Sequence, residues 1–256
     1  MKNSRRKFLK VAGISVLGLG AKPVLNAVAE NSVKKYEIAP KSLLSKRYAM
    51  VVDTRKCKKG CTECQTACHK VHNVPSIKDN PRHEIKWIWS ETYGHAFPGQ
   101  EHSYMEEPLE SRPFMVLCNH CENPACVRVC PTKATFQRED GVVLMDFHRC
   151  IGCRFCMAAC PFGARSFNWK DPRGYIADIN PEFPTRMKGV VEKCNFCDER
   201  LAKGLMPACV EACKEKALIF GDITCESSEV RKVLAENFSI RRKSELGTGP
   251  MVYYIV

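Results

Sequence analysis

An α+β fold of two related modules is what the 256-residue sequence predicts, and three features predict it. Sixteen of the seventeen cysteines fall into four groups of four. Each group follows a short apolar run: YAMVVDT (48–54), PFMVLC (113–118), GVVLMDF (141–147) and GVVEKC (189–194). Valine-rich runs of that length read as strands. The last cysteine of three groups sits in a short helical stretch, PACVRVC, FCMAAC or MPACVEAC. Strand, cysteine loop, helical turn and strand make the βαββαβ pattern, and it occurs twice, as an internal duplication.

The chemistry is clearest in the third group, CIGCRFCMAACP, which holds Cys150, Cys153, Cys156 and Cys160. Thiols this close make a strained disulfide set, because bridged Cα atoms must lie within about 7 Å with their Cβ atoms facing. A zinc site uses one pair here and a second pair after a longer spacer. The C-x2-C-x2-C-x3-C-P run is instead a [4Fe-4S] signature, whose fourth cysteine ligates a different cluster. Two-residue gaps let one loop place three thiolates on three corners of a cube. Cys150, Cys153 and Cys156 are therefore expected on one cube and Cys160 on another. Gly152 suits a loop position with positive φ, and Pro161 fixes φ and removes a donor.

The other groups extend this pattern. Cys118, Cys121, Cys126 and Cys130 are spaced two, four and three apart in CNHCENPACVRVCP. Cys57, Cys61, Cys64 and Cys68 are spaced three, two and three in CKKGCTECQTAC. Cys194, Cys197, Cys209 and Cys213 are spaced two, eleven and three. Alone, that last spacing also suits a zinc ribbon. Its three ferredoxin-type neighbours make it an iron–sulfur group. Cys225 is left over and is expected to be a plain buried thiol. CQTACH (64–69) misses the C-x-x-C-H haem-attachment run by one residue. His120 and His148 adjoin cysteines and are expected to support clusters or lie at the surface, not to ligate.

The spacing between groups divides the chain. Only 19 residues separate Cys130 from Cys150, and ATFQREDGVVLMDF fills that gap as a hairpin. Between Cys68 and Cys118 lie 49 residues, and between Cys160 and Cys194 lie 33. The second and third groups thus form a contiguous inner module, 112–170. The first and fourth pair across it as an outer module, 46–70 plus 186–225. An insert covers 71–111, a connecting loop 171–185 and a C-terminal extension 226–256. In the insert, EIKWIWSETY alternates apolar and polar residues and puts Trp87 and Trp89 on one face of a strand. That face either packs on its own module or meets a partner.

The formal charge of +12 does not mark a nucleic-acid binder. Residues 1–29 hold six basic residues and no acid, and without them the balance is +6. An oxidised cube with four thiolates carries about −2, so four of them bring the loaded protein to about −2. The basic leader is itself informative. SRRKFLK (4–10), an uncharged stretch from Val11 to Ala21 and the small-x-small AVA (27–29) form a twin-arginine export signal over residues 1–29. Eleven uncharged residues fall short of the roughly 20 that span a bilayer. Export through the twin-arginine machinery suits a protein that folds around its metal first. It also reconciles abundant cysteine with an oxidising compartment, where free thiols would pair. No later segment is long enough to span a membrane, so membrane attachment is expected through a partner.

No pterin or nucleotide fingerprint appears, and no nucleophile stands beside a base. A cube with four cysteine ligands leaves no open position for a substrate. The protein alone is therefore expected to catalyse nothing.

The motif order, the eleven-residue spacer, the two Cys-Pro endings and the twin-arginine leader resemble the four-cluster ferredoxin-type subunits of membrane-bound respiratory complexes. That family includes the iron–sulfur subunits of polysulfide, dimethyl sulfoxide and nitrite reductases. The resemblance covers roughly residues 46–225. Within it, the leader, the lack of a C-terminal anchor and the insert HNVPSIKDNPRHEIKWIWSETYGHAFPGQ are most similar to the DsrO group. These are periplasmic subunits of the sulfite-reduction-associated DsrMKJOP complexes. The three-residue gap in CKKGC, where two is usual, is a departure that bears on the geometry of the first site.

Carried over, the resemblance implies four [4Fe-4S] clusters. Cys57, Cys61, Cys64 and Cys213 hold one. Cys68, Cys194, Cys197 and Cys209 hold the second. Cys118, Cys121, Cys126 and Cys160 hold the third. Cys130, Cys150, Cys153 and Cys156 hold the fourth. It further implies a periplasmic electron-transfer subunit, attached peripherally through an integral membrane quinone-reactive subunit. The far partner implied is a redox protein such as a multihaem cytochrome c. The alternatives are the same wire in a molybdenum reductase or hydrogenase complex and, remotely, a zinc-stabilised interaction protein.

Overall fold

The computed structural model describes residues 45–256, apart from 79, 106 and 111. The expected export signal, residues 1–29, lies outside the described residues. Strands and helices alternate in short pieces. In chain order they are β1 (Tyr48–Asp53), α1 (Glu63–Val71), β2 (Ile88–Glu91), α2 (Tyr93–Ala96), α3 (Glu107–Glu110), β3 (Phe114–Leu117) and α4 (Ala125–Arg128). There follow β4 (Thr135–Gln137), β5 (Val143–Met145), α5 (Phe155–Ala158), β6 (Ser166–Phe167), β7 (Val191–Glu192), α6 (Asp198–Leu201) and α7 (Ala208–Glu211). The fold closes with β8 (Leu218–Asp222), α8 (Glu229–Glu236), β9 (Ser239–Ile240) and β10 (Val252–Ile255).

All four apolar runs become strands, β1, β3, β5 and β7. All three helical stretches become single turns, α4, α5 and α7. The largest sheet has the order β8-β1-β10-β9. Its central strand β1 is apolar at every position from Ala49 to Val52, and both faces are covered, which is what an unbroken apolar run requires. Met50 and Val52 face the main core, while Ala49 and Val51 pack with Val230 of α8. Ser228 caps α8 by accepting a hydrogen bond from the Arg231 N–H at 3.2 Å.

β10 comes from the C-terminal extension and runs parallel to β1, with Met50 opposite Val252. The extension is therefore a structural member of the sheet rather than an appendage. Just before β10 it also braces the second cysteine loop: the Glu122 N–H donates to Gly249, the Asn123 N–H to Thr248, and the Met251 N–H to Asn119.

Three two-stranded hairpins complete the fold. β4 and β5 form the hairpin expected between the second and third groups, with Thr135 opposite Met145. β2 pairs with β3, so the insert strand packs against its own chain. Trp87 shows the consequence. It is 1% exposed, stacks on His72 at 4.7 Å and donates from Nε1 to Glu192 at 3.0 Å. Of the two readings of this face, packing is the one the structure adopts.

Candidate iron–sulfur centres

The thiols come together across long sequence separations because each loop contributes to one site and the turn behind it to another. α1 shows how. Cys64 and Cys68 are four residues apart and both buried on one helical face, one turn above the other. Cys64 joins Cys57 and Cys61 from the loop after β1, with Cys213 from the turn after α7. These four, with Val52, Met115 and Leu218, line a cavity of about 290 Å3. Cys68 instead lies against Cys194, Cys209 and Cys197, whose charges follow burial as the causes that push its pKa well up.

The third cluster set, Cys118, Cys121, Cys126 and Cys160, follows the same rule. The Cys121 thiol is pushed up to about 12 by burial and then by Cys118, with Cys126 and Cys160 adding to it. Cys160 is raised by burial and by Cys118 and Cys126. The structure therefore sets Cys160 beside the thiols of the second loop, as the x3 spacing requires. In the fourth group burial raises the Cys156 thiol, Arg165 opposes the rise, and Cys126 and Cys150 add to it. Cys130 is less enclosed. Burial acts to raise it, but hydrogen bonds from Thr135 and Thr132 prevail and lower it. Gly152 shapes this loop. Its φ is +70°, and a Cβ there would collide with the Gly189 carbonyl oxygen.

Backbone N–H groups already point at sulfur. Ala217 donates to Cys213 at 3.3 Å, Phe196 to Cys194 at 3.4 Å and Ala208 to Cys197 at 3.4 Å. Hydrogen bonds to sulfur are one of the means by which a protein tunes a cluster. All seventeen cysteines are free thiols.

These residues fit iron–sulfur cubes. Four thiols converging on a cavity of about 290 Å3 leave far more room than one zinc ion, whose Zn–S bonds of about 2.3 Å close the site around it. Burial and mutual repulsion hold these thiols protonated while the site is empty, and a cation that takes the place of their protons is what lets four thiolates sit together. When bound, a cube supplies one-electron chemistry. The protein supplies the ligands, the sulfur hydrogen bonds and the surrounding charge.

Each group is also coupled to the next. Cys209 of the second group feels Cys64 of the first. Cys194 of the second feels Cys118 of the third. Cys156 of the fourth feels Cys126 of the third. This serial order was not visible in the spacing.

Two residues differ from expectation or escaped it. Cys225 is exposed, not buried; it sits in the turn before α8, with its Sγ 3.2 Å from the Ser227 Oγ. A polar TCESS turn outweighs the usual preference of cysteine for burial. Arg165 was not singled out, yet its Nη2 donates to the Cys126 Sγ at 3.0 Å. His120 is buried against Phe196, while His148 is exposed.

Strand–loop–turn units that gather thiols in serial groups define a ferredoxin-type protein carrying several [4Fe-4S] clusters. The 4Fe-4S dicluster domain matches residues 112–174 and 180–223. The Hdr-like menaquinol oxidoreductase iron-sulfur subunit 1 of Archaeoglobus fulgidus is 40% identical, over 98% of this chain and 97% of its own length. The menaquinone reductase iron-sulfur cluster-binding subunit of Nitratidesulfovibrio vulgaris is 34% identical, over 82% and 88%. The arsenate respiratory reductase iron-sulfur subunit ArrB of a Shewanella species is 36% identical, over 82% and 96%. The protein described here belongs to this family of 4Fe-4S subunits, which carry electrons within larger oxidoreductase complexes and are not themselves the catalysts. Among the described residues, no helix is long and apolar enough to cross a membrane.

Proposed function

We propose that the protein is a four-cluster periplasmic wire. It passes single electrons between a quinone-reactive membrane subunit and a soluble redox partner such as a multihaem cytochrome c. The observation that carries this reading is the electrostatic coupling of each thiol group to the next, Cys64 to Cys209, Cys194 to Cys118 and Cys126 to Cys156. The sixteen ligands are assigned in the four sets given above. The likeness to menaquinol oxidoreductase and menaquinone reductase subunits supports a quinone-linked complex. The leader SRRKFLK supports the periplasmic side. The insert and leader favour the DsrO group and thus a sulfite-reduction-associated complex.

A second reading is favoured by the arsenate respiratory reductase relative. In it the same wire feeds a catalytic reductase subunit containing molybdenum. Purifying the native complex separates the two. A cytochrome c and a polytopic membrane subunit support the first; a large pterin-binding subunit supports the second. Four cubes require about 16 iron and 16 acid-labile sulfide per protein molecule. A plateau near 12 iron in fully reconstituted protein removes one site from the wire.

A further inference from the structure

Charge near a cluster, like hydrogen bonds to its sulfur, sets its reduction potential. Here that charge is unevenly placed. Arg165 is 5% exposed. Its Nη2 donates to the Cys126 Sγ at 3.0 Å and to the Thr135 Oγ1 at 2.8 Å, and its Nη1 faces the Met145 Sδ at 3.8 Å. Among the described residues no carboxylate pairs with it. Burial works against its charge, and the groups that restore it are Cys126, Cys156 and Cys118. A buried guanidinium without an anion is strongly unfavourable. The anion must therefore be the thiolates on either side, those of the third group and Cys156 of the fourth.

A second buried cation acts elsewhere. Lys193 donates from Nζ to the carbonyls of Val143 and Cys194, and its charge acts on the Cys194 thiol, not on a thiol beside Arg165. His120 accepts the Val143 N–H at Nδ1, at 3.0 Å, which leaves its proton on Nε2. That Nε2 is buried, and the Cys194 backbone lies against the ring. Elsewhere the charge is different. At the second group Cys194 feels Lys193 and Glu199 with opposite signs, and Cys197 feels Glu199. At the first group Lys58 and Lys214 are 69% and 79% exposed and already paired with Glu215 and Glu63.

We propose that Arg165, a buried cation that donates directly to a ligand sulfur, raises the reduction potentials of the two clusters it lies between, at Cys126 and Cys156, and makes them the first to be reduced. Electrons then collect in that half of the protein. Each step is a one-electron exchange in which the neighbouring cluster is oxidised and the Arg165-flanked cluster is reduced. No proton need enter, because the compensating charge is already built in. A buried cation stabilises the added electron far more than an exposed one, since the local dielectric is low. The proposal rests on the ligand assignment above. Iron content tests that assignment; the potentials test Arg165.

The experiment is a redox titration followed by electron paramagnetic resonance on the full, cluster-loaded protein. Arg165→Gln should lower the two earliest-reduced signals by at least a tenfold loss in preference for the reduced state, which is 59 mV for a one-electron couple. Arg165→Lys, which keeps the charge, should recover most of that shift. Unmoved potentials in a fully loaded Arg165→Gln protein overturn the proposal. So do equal shifts in the Lys and Gln variants, which point to packing instead of charge. If Arg165→Gln sheds its clusters, the unaltered protein labelled with guanidino-15N arginine decides. A 15N hyperfine coupling on the earliest-reduced signals supports the proposal, and its absence overturns it.

Discussion

The imidazole of His120 lies flat on the phenyl ring of Phe196, with centroids 3.6 Å apart and planes 17° apart. The two residues hold the same place in CNHC and CNFC, and both have positive φ, +40° and +56°. Such a backbone is a genuine outlier for an aromatic residue, so its recurrence at matched positions marks a shared loop geometry. The stack joins the loops of Cys118 and Cys194, whose thiols are electrostatically coupled. Phe196 also meets Phe220 edge-on at 5.1 Å.

Phe196→Ala should therefore cost about 3–5 kcal/mol, the range for emptying a buried aromatic site. Phe196→Leu should cost less, since it keeps most of the volume. Denaturant unfolding of the loaded protein, followed by loss of cluster absorbance, measures both. An Ala variant as stable as the parent would show that the stack is incidental.

Glu192 and Arg186 form an ion pair with no exposure at either side chain, Nη2 to Oε2 at 2.7 Å. Trp87 and Asn168 also donate to Glu192, and Arg186 donates to the carbonyls of His72 and Asn73. The pair ties the insert to β7, the strand before Cys194. Glu192→Gln leaves a buried guanidinium without its anion, at a cost of about 3–5 kcal/mol. Adding Arg186→Met should restore part of that loss. Thermal unfolding of the single and double variants checks it, and simple additivity would mean the two residues are not coupled.

The cysteine groups, their preceding strands and the β4–β5 hairpin were legible because each rests on local spacing. The place of β10 was not. VYYIV looks like any apolar tail, and its parallel partner β1 lies some 200 residues away, where no local pattern reports it. Arg165 was equally silent. Its neighbours in sequence are Ala164 and Ser166, and only the fold brings Cys126 and Thr135 to it. The serial order of the sites depends on contacts of the same long range. Cys160 was expected near the second loop because the x3 step is a local geometric constraint, and its thiol is coupled to Cys118 and Cys126.

Metal-free protein should respond to pH in one direction. Burial first, then neighbouring thiols, pushes Cys64 and Cys121 up to about 12 from an ordinary 9.0. A raised folded-state pKa means the neutral thiols contribute stability fully below the unfolded value. That contribution is lost as pH rises toward the folded value. The apo protein should thus weaken between about pH 9 and pH 12, while the loaded protein, whose thiolates are already committed to iron, should not. Urea midpoints of both forms across that window test the difference. A parallel decline in the two would sink the argument.

Export makes an independent demand on residues outside the described fold. Arg5→Lys with Arg6→Lys should hold the precursor in the cytoplasm, because the paired arginines are read by a receptor. Cell fractionation measures it. Efficient export of the double variant would mean that another route carries the protein.

The sharpest test of the ligand assignment uses Cys160 and Cys130. Cys160 stands with Cys118 and Cys126 although it follows the loop of Cys150, Cys153 and Cys156. If its thiolate belongs to the cluster of Cys118, Cys121 and Cys126, then Cys160→Ser should convert or destroy that cluster. The cube held by Cys150, Cys153 and Cys156 should keep its own signal. Cys130→Ser should do the reverse. Arg165 lies between the two sites, so losing one cluster will disturb the potential of the other. The measurement must therefore assign identity as well as potential, by a structure of each variant or by spectra resolved cluster by cluster. Loss of the same cube in both variants would refute the crossed arrangement. The serial path from the first group to the fourth would then lose its third step.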